Sequence, residues 1–280
     1  MWHQTKLERR LAFEINIHST GELTMLSYGQ STFAIVFSLV AALLTVALLN
    51  RAWPVENRKI INDVNAWQMG VLGTTYGVIL GFMLFTVWTD FRAAEIDVAL
   101  ETASLLNVHR IAAGLPSPQR EQMNVLTLKY ADAVVNQEWP AMQTQRVSHA
   151  GDVVLEQMWQ VLIAAQAQNI RETSSVDHLT TAMTSLGERR RMRDEQYENK
   201  LPSVLWVLLI VGGMATVVSS CLLGNDKKWL HYGQVLALAF VVSVTLASIA
   251  DLARPFEGAV AVTATPLQRA LVIMQQRTVP

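Results

Sequence analysis

Four stretches of the chain contain no Asp, Glu, Lys or Arg: Leu23 to Asn50, Val64 to Thr89, Leu201 to Asn225 and Trp229 to Ala250. Each is at least 22 residues long, and about 20 apolar helical residues cross the roughly 30 Å hydrocarbon layer of a bilayer. The pattern predicts membrane-spanning helices over residues 31–49, 68–88, 203–223 and 230–252. Pro202 precedes the third and Pro255 follows the fourth. A first-turn proline has no N–H to lose, and a proline past the end stops the helix. Trp67 and Trp88 bracket the second helix, about 31 Å apart along its axis. Trp206 and Trp229 stand near the starts of the third and fourth, as indoles do at a membrane–water interface.

Between the second and third spans the pattern changes. Residues 90–200 hold 26 of the 45 charged groups, 11 basic and 15 acidic, so this segment belongs in water. Ala94, Val98, Leu105, Val108 and Ile111 recur at helical spacing. Nothing breaks the chain before Ala113, which predicts that the second spanning helix continues out of the membrane. Leu115 to Pro118 makes a turn, with Ser117 as N-cap and Pro118 as first helical residue of the next helix. That helix is expected to stop at Pro140. Two more helices are expected over 150–167 and 176–200. No alternating strand pattern is present. The fold class is therefore all-α: a polytopic membrane protein with four transmembrane helices and a helical soluble domain inserted between helices 2 and 3. The segments are 1–30 (N-terminal), 31–89 (spans 1 and 2), 90–200 (soluble domain), 201–255 (spans 3 and 4) and 256–280 (tail).

Charge and composition narrow the function. The net charge of −1 gives no basic field for nucleic acid. Cys221 is the only cysteine and sits in an apolar stretch, where a buried, inert thiol is expected. No short apolar run with a small-residue cleavage site precedes the first span, so it is expected to remain as an anchor. Four crossings place both termini and residues 90–200 on one side, read as cytoplasmic, in a cell (inner) membrane. The short loops are nonetheless dense in Arg51, Arg58, Lys59, Lys227 and Lys228. The six histidines show no metal-ligand spacing. There is no phosphate loop, no nucleophile elbow and no Cys-x-x-Cys, and Asp177-His178 is a lone pair. No enzyme, cofactor or metal is expected.

The second span carries the candidate functional residues. Gly73, Gly77 and Gly81 recur every fourth residue and form a smooth strip for close helix approach. Ala239, Ser243 and Ala247 repeat the spacing on the fourth span. Opposite the glycines lie Thr75, Ile79, Phe82 and Thr86, followed by Asp90: polar, then bulky and apolar, then polar. A pore with a hydrophobic constriction has this order; so does a lipid-facing surface whose threonines bond back to their own helix. Asp251 and Arg254, three residues apart, are expected as an ion pair at the interface or at a pore mouth. Arg189, Arg190, Arg191 and Arg193, followed by Asp194, Glu195 and Glu198, are expected on a solvated, locally salt-bridged helix.

Several of these stretches, in order, resemble a bacterial bestrophin-like membrane family. They run from Tyr76-Gly77-Val78-Ile79-Leu80-Gly81-Phe82 through Phe85 to Trp88, then Glu95, Glu101, Leu115-Pro116, Tyr130 and the Glu138-Trp139-Pro140 corner. The arginine-rich helix follows, ending in Leu201-Pro202, then Leu205-Trp206 and the close at Arg254-Pro255-Phe256-Glu257-Gly258. The resemblance implies a pentameric channel conducting an inorganic anion, with its second helix lining the pore and membrane lipids around it. The chain lacks the Gly-Asn-Pro-Pro stretch of the bestrophin neck and the compact acidic run that clasps calcium, so calcium gating is not implied. Two other readings are a non-conducting scaffold or sensor whose soluble domain binds a partner, and an ion-driven stator-type subunit. The latter needs an intramembrane carboxylate that none of the four stretches contains.

Overall fold

A computed structural model describes residues 29–199, 201–258 and 260–277; most of the N-terminal segment lies outside the described residues. Among the described residues there is no β-strand. The chain divides into two compact units, one of residues 1–88 and 201–253, the other of 89–200 and 254–280.

The first unit contains the apolar helices: α1 (Gly29–Ala52), the first part of α3 (Asn62–Ile111), α8 (Ser203–Cys221) and α9 (Lys228–Leu252), each long and apolar enough to cross a membrane. A short helix α2 (Val55–Lys59) lies between α1 and α3. α3 begins six residues before the expected start and runs without a break through Ile111, about 75 Å at 1.5 Å per residue. Two buried clusters hold the unit. Tyr76, Leu80 and Val87 of α3 pack with Leu209 of α8 and with Val242 and Ile249 of α9. Ala42 and Val46 of α1 pack with Cys221, Val235 and Ala239. The small-residue strip of α9 is thus used inside the chain: Ala239 sits against α1, and Ser243 Oγ donates to Ser38 Oγ at 2.7 Å. Polar groups tie the loops at one end. Asn62 and the Gly224 backbone bond each other twice at 2.8 Å. Arg58 is fully buried and donates to the Cys221 carbonyl at 3.0 Å and to Asn50 Oδ1.

The second unit is built on the remainder of α3, which ends in a 3₁₀ turn at Ala112–Gly114, with α4 (Gln119–Ala133), α5 (Trp139–Gln143), α6 (Ala150–Ile163), α7 (Ile170–Glu198) and α10 (Thr265–Arg277). Val98, Leu105 and Val108 of α3 are buried, as their spacing predicts, along with Met123 and Tyr130 of α4, Met158 of α6 and Leu179 of α7. His109 Nδ1 lies 2.8 Å from Thr127 Oγ1, pinning α3 to α4.

Several local expectations change. The helix through 119–133 does not stop at Pro140: it passes through a π-turn at Val134–Glu138 into α5, where Pro140 occupies the first turn. α7 starts six residues earlier than expected, at Ile170. Asn169 caps it by accepting from the Glu172 N–H at 2.9 Å, and Glu172 reaches back one residue past the cap to the Gln168 N–H at 2.8 Å, a variant of the capping box. α4 starts one residue after Pro118, and Ser117 turns its hydroxyl to Glu121 rather than to the backbone. Residues 256–280, read as a tail, include α10, which buries Leu267, Ala270 and Met274.

Candidate functional site: α3 and a buried ionic hub

Inside the first unit, α3 has one occupied side and one open side. Tyr76 is the anchor of the occupied side. Its hydroxyl donates to the Leu209 carbonyl at 2.8 Å. Its ring lies on Gly212 and Gly213 of α8, where an added Cβ would stand 2.7 Å from Tyr76 Cδ2 and 2.8 Å from Tyr76 Oη. Such spacing leaves no room for a side chain, so both glycines are required by a close approach. The sequence reading missed this contact. Its signal was the Gly-Gly pair in an otherwise β-branched and leucine-rich span.

The open side holds the residues singled out from sequence. A Cβ added at Gly73, Gly77 or Gly81 meets nothing within 4 Å. Thr75, Thr86 and Asp90 are exposed, and Phe82 is 70% exposed. Thr86 donates back to the Phe82 carbonyl at 2.9 Å. Ile79 differs: it is half-buried and packs against the Tyr76–Leu209 cluster, on the shoulder between the two sides. At 100° per residue, Val78 and Phe85 fall nearer the middle of the open side, and both are exposed. Arg254, expected to pair with Asp251, donates instead to Glu257 Oε2 at 3.4 Å.

The second unit contains a buried ionic hub that local sequence did not reveal. Arg190 binds Glu138 through both terminal nitrogens, at 2.8 and 2.7 Å, and Asp152 through Nε at 2.7 Å. Arg193 binds Glu101 through Nε at 2.8 Å and Glu138 through Nη2 at 2.9 Å. Tyr130 Oη donates to Glu101 at 2.7 Å, and the Gly151 N–H donates to Glu138 at 2.7 Å. The side chains of Arg193 and Glu101 are 1% and 0% exposed. Arg190 lies over the Tyr130 ring and Arg193 over the Trp139 ring, 5.9 and 5.6 Å from their centroids. The expected solvated helix is therefore corrected at these two positions: short charge-assisted hydrogen bonds to carboxylates distant in sequence compensate their burial. Arg189 pairs with Asp97 at 3.3 Å.

Electrostatics follow from this geometry. Burial pushes the Glu138 carboxyl up, but the hydrogen bonds and charges of Arg190 and Arg193 outweigh it and hold Glu138 below its usual range. Burial likewise opposes Asp152, and Arg190 with His149 brings it below the ordinary value. Burial and the Glu101 charge push the Tyr130 phenol well up. No group of three or more His, Cys, Asp or Glu able to hold a metal occurs among the described residues.

The hub explains the two corners that carry the family resemblance. Glu138 ends the π-turn and serves both arginines. Trp139 donates from Nε1 to the Val262 carbonyl at 3.3 Å and meets Phe256 edge-on at 5.8 Å. Glu257 accepts from Gln145 at 2.8 Å, and Gly258 takes φ +82°, a conformation that favours glycine. The Glu-Trp-Pro and Arg-Pro-Phe-Glu-Gly segments thus form one joint.

Comparison with known proteins agrees with this fold. The profile of the bestrophin-like domain matches residues 36–267. No curated protein matches the chain. Among solved structures, a point mutant of a bacterial bestrophin homolog from Klebsiella pneumoniae superposes with a TM-score of 0.65 at 10% identity, over 88% of this chain and 99% of that one. The same homolog phased by Zn-SAD gives 0.63 at 11% identity, over 88% and 98%. A variant of a protein described as a membrane protein gives 0.64 at 10% identity, over 88% and 98%. At these identities the likeness establishes the fold, and with the family match it settles the assignment: the chain belongs to the bestrophin-like family.

Proposed function

We propose that the protein is an oligomeric ion channel whose α3 helices, one from each copy, surround the permeation path. The observation that carries this reading is the open side of α3. Half of the helix is packed by Tyr76, Leu80 and Val87 against its own chain, while among the described residues a Cβ at Gly73, Gly77 or Gly81 meets nothing within 4 Å and Thr75, Phe82 and Thr86 are exposed. A neighbouring copy packs along Gly73, Gly77 and Gly81, since small-residue strips allow the close helix approach that supplies association in lipid. Thr75, Thr86 and Asp90 line the two wide ends. Phe82 forms the constriction, with Ile79 at its edge, and an apolar ring of this kind gates by dewetting. Family membership supports five copies and an inorganic anion as the permeant ion. The remaining exposed apolar side chains face lipid in a bacterial inner membrane, with the termini and residues 90–200 in the cytoplasm.

Native mass spectrometry of the detergent-purified protein tests the assembly. A ring-sized oligomer, a pentamer above all, is expected. A monomer or simple dimer, stable across mild detergents, leaves no axis for α3 to line and favours a membrane-anchored scaffold.

A further inference from the structure

A cleft of about 520 Å³ opens in the second unit between α6 and α7, within the size range of small-molecule sites. It owes nothing to the pore reading. Its α6 side carries the apolar Leu155 and Trp159. On the α7 side is Gly187, where an added Cβ would meet nothing within 4 Å. A mid-helix glycine costs about 1 kcal/mol relative to alanine, and here it leaves that part of the cleft open. Four carboxylates line the cleft: Asp152, Glu156, Glu188 and Asp194.

The two arginines that also line it do not balance these acids. Arg190 has all three of its nitrogens committed to Glu138 and Asp152. Arg191 is exposed to solvent. Asp194 stands 3.9 Å from Arg190 Nε and 3.8 Å from Arg193 Nη2, too far for hydrogen bonds. Burial pushes its carboxyl up despite those two charges. The cleft therefore combines an apolar side that includes one aromatic ring, an open floor and an acidic lining.

We propose that this cleft binds a linear di- or polyamine. Glu188 and Asp194 are six residues apart on α7, about 9 Å along the helix, a spacing that two ammonium groups on one flexible chain can bridge. The methylene segments lie on Leu155, and an ammonium over the Trp159 face gains a cation–π contact. A bare divalent ion would use the carboxylates and leave the aromatic wall unoccupied. An anionic ligand would meet three carboxylates outside the Arg190–Asp152 pair, Glu156, Glu188 and Asp194, and only one uncommitted guanidinium.

The test is calorimetric titration of the full-length, detergent-purified protein with spermidine at fixed ionic strength. Saturable binding is expected. The double variant Glu188→Gln/Asp194→Asn should raise Kd about tenfold, as two partly exposed ion pairs predict. Gly187→Met keeps every charge and fills the cleft, and should abolish binding; because its Cβ has free space, circular dichroism should match the parent. Glu195→Gln, on the same helix but outside the cleft, should leave Kd unchanged. Absence of binding by the parent, equal binding by the Gly187→Met variant, or displacement by magnesium as effective as by putrescine at matched ionic strength would each overturn the assignment.

Discussion

The two units place polar groups in their interiors differently. The first relies mainly on neutral groups: Tyr76 bonds the Leu209 carbonyl, Ser243 bonds Ser38, and Thr216 returns to its own helix. Its fully buried guanidinium, Arg58, is held by the Cys221 carbonyl and Asn50 rather than by a carboxylate. The second buries full charges, with Glu101, Glu138, Arg190 and Arg193 in one connected hub. In lipid, an unpaired charge has no water to retreat to, so close packing of small residues does the joining. In water, an unfolded arginine is well solvated, and the folded hub must replace that solvation in full. It does so with a satisfied network, which makes the hub intolerant of losing any one member.

Glu138→Ala breaks the hub most severely. It takes one carboxylate acceptor from each of two buried guanidiniums and the acceptor of the Gly151 N–H, and about 3–5 kcal/mol of stability should disappear. Hydrogen exchange should show the loss across α4, α6 and α7 while α8 and α9 stay protected. Acidification attacks the same point. The folded pKa of Glu138 and of Asp152 lies below the ordinary value, so their contribution is complete above the unfolded carboxylate range of about 4. It is lost as pH falls through the folded values. Asp194, pushed the other way, contributes with opposite sign and softens the drop. Thermal melts between pH 7 and 3 should show the second unit losing stability below about pH 4.

Two glycine substitutions sharpen the contrast within the first unit. Gly212→Val drives a side chain into the Tyr76 ring and should cost about 1–3 kcal/mol of stability as overpacking. Gly77→Val adds a Cβ that meets nothing within 4 Å among the described residues and should leave the melting of a protomer within about 0.5 kcal/mol. On the present account it instead weakens assembly, read as loss of the ring-sized species by native mass spectrometry. Equal effects of the two on melting, with assembly intact, would mean that the open side of α3 has no helix partner.

Much of the architecture was legible because hydropathy and charge segregate along the chain. Charge-free runs mark spans, and the period of Ala94, Val98, Leu105 and Val108 marks the buried stripe of α3. What stayed hidden was non-local. Arg190 and Arg193 have an acidic neighbour in Asp194, which suggests a local pair, whereas their partners lie 52, 55 and 92 residues away. Pro140 reads as a stop because a π-turn leaves no simple sequence mark. Ile79 lies close to the Phe82 row by angle, yet it packs with its own chain, because the width of the occupied side depends on where α8 and α9 sit. Among its described side chains the C-terminal helix has three buried positions, too few to stand out from a tail.

The central claim is that the open side of α3 lines a conducting path, and substituted-cysteine accessibility in planar bilayers tests it most directly. With Cys221, the sole and buried cysteine, replaced by alanine, the Phe82→Cys protein should carry current that a charged, membrane-impermeant thiosulfonate reagent abruptly changes. The Val207→Cys protein, altered at an exposed position of α8, should not respond. Current unaffected by modification at position 82, or no current from the parent and both variants, would contradict the account.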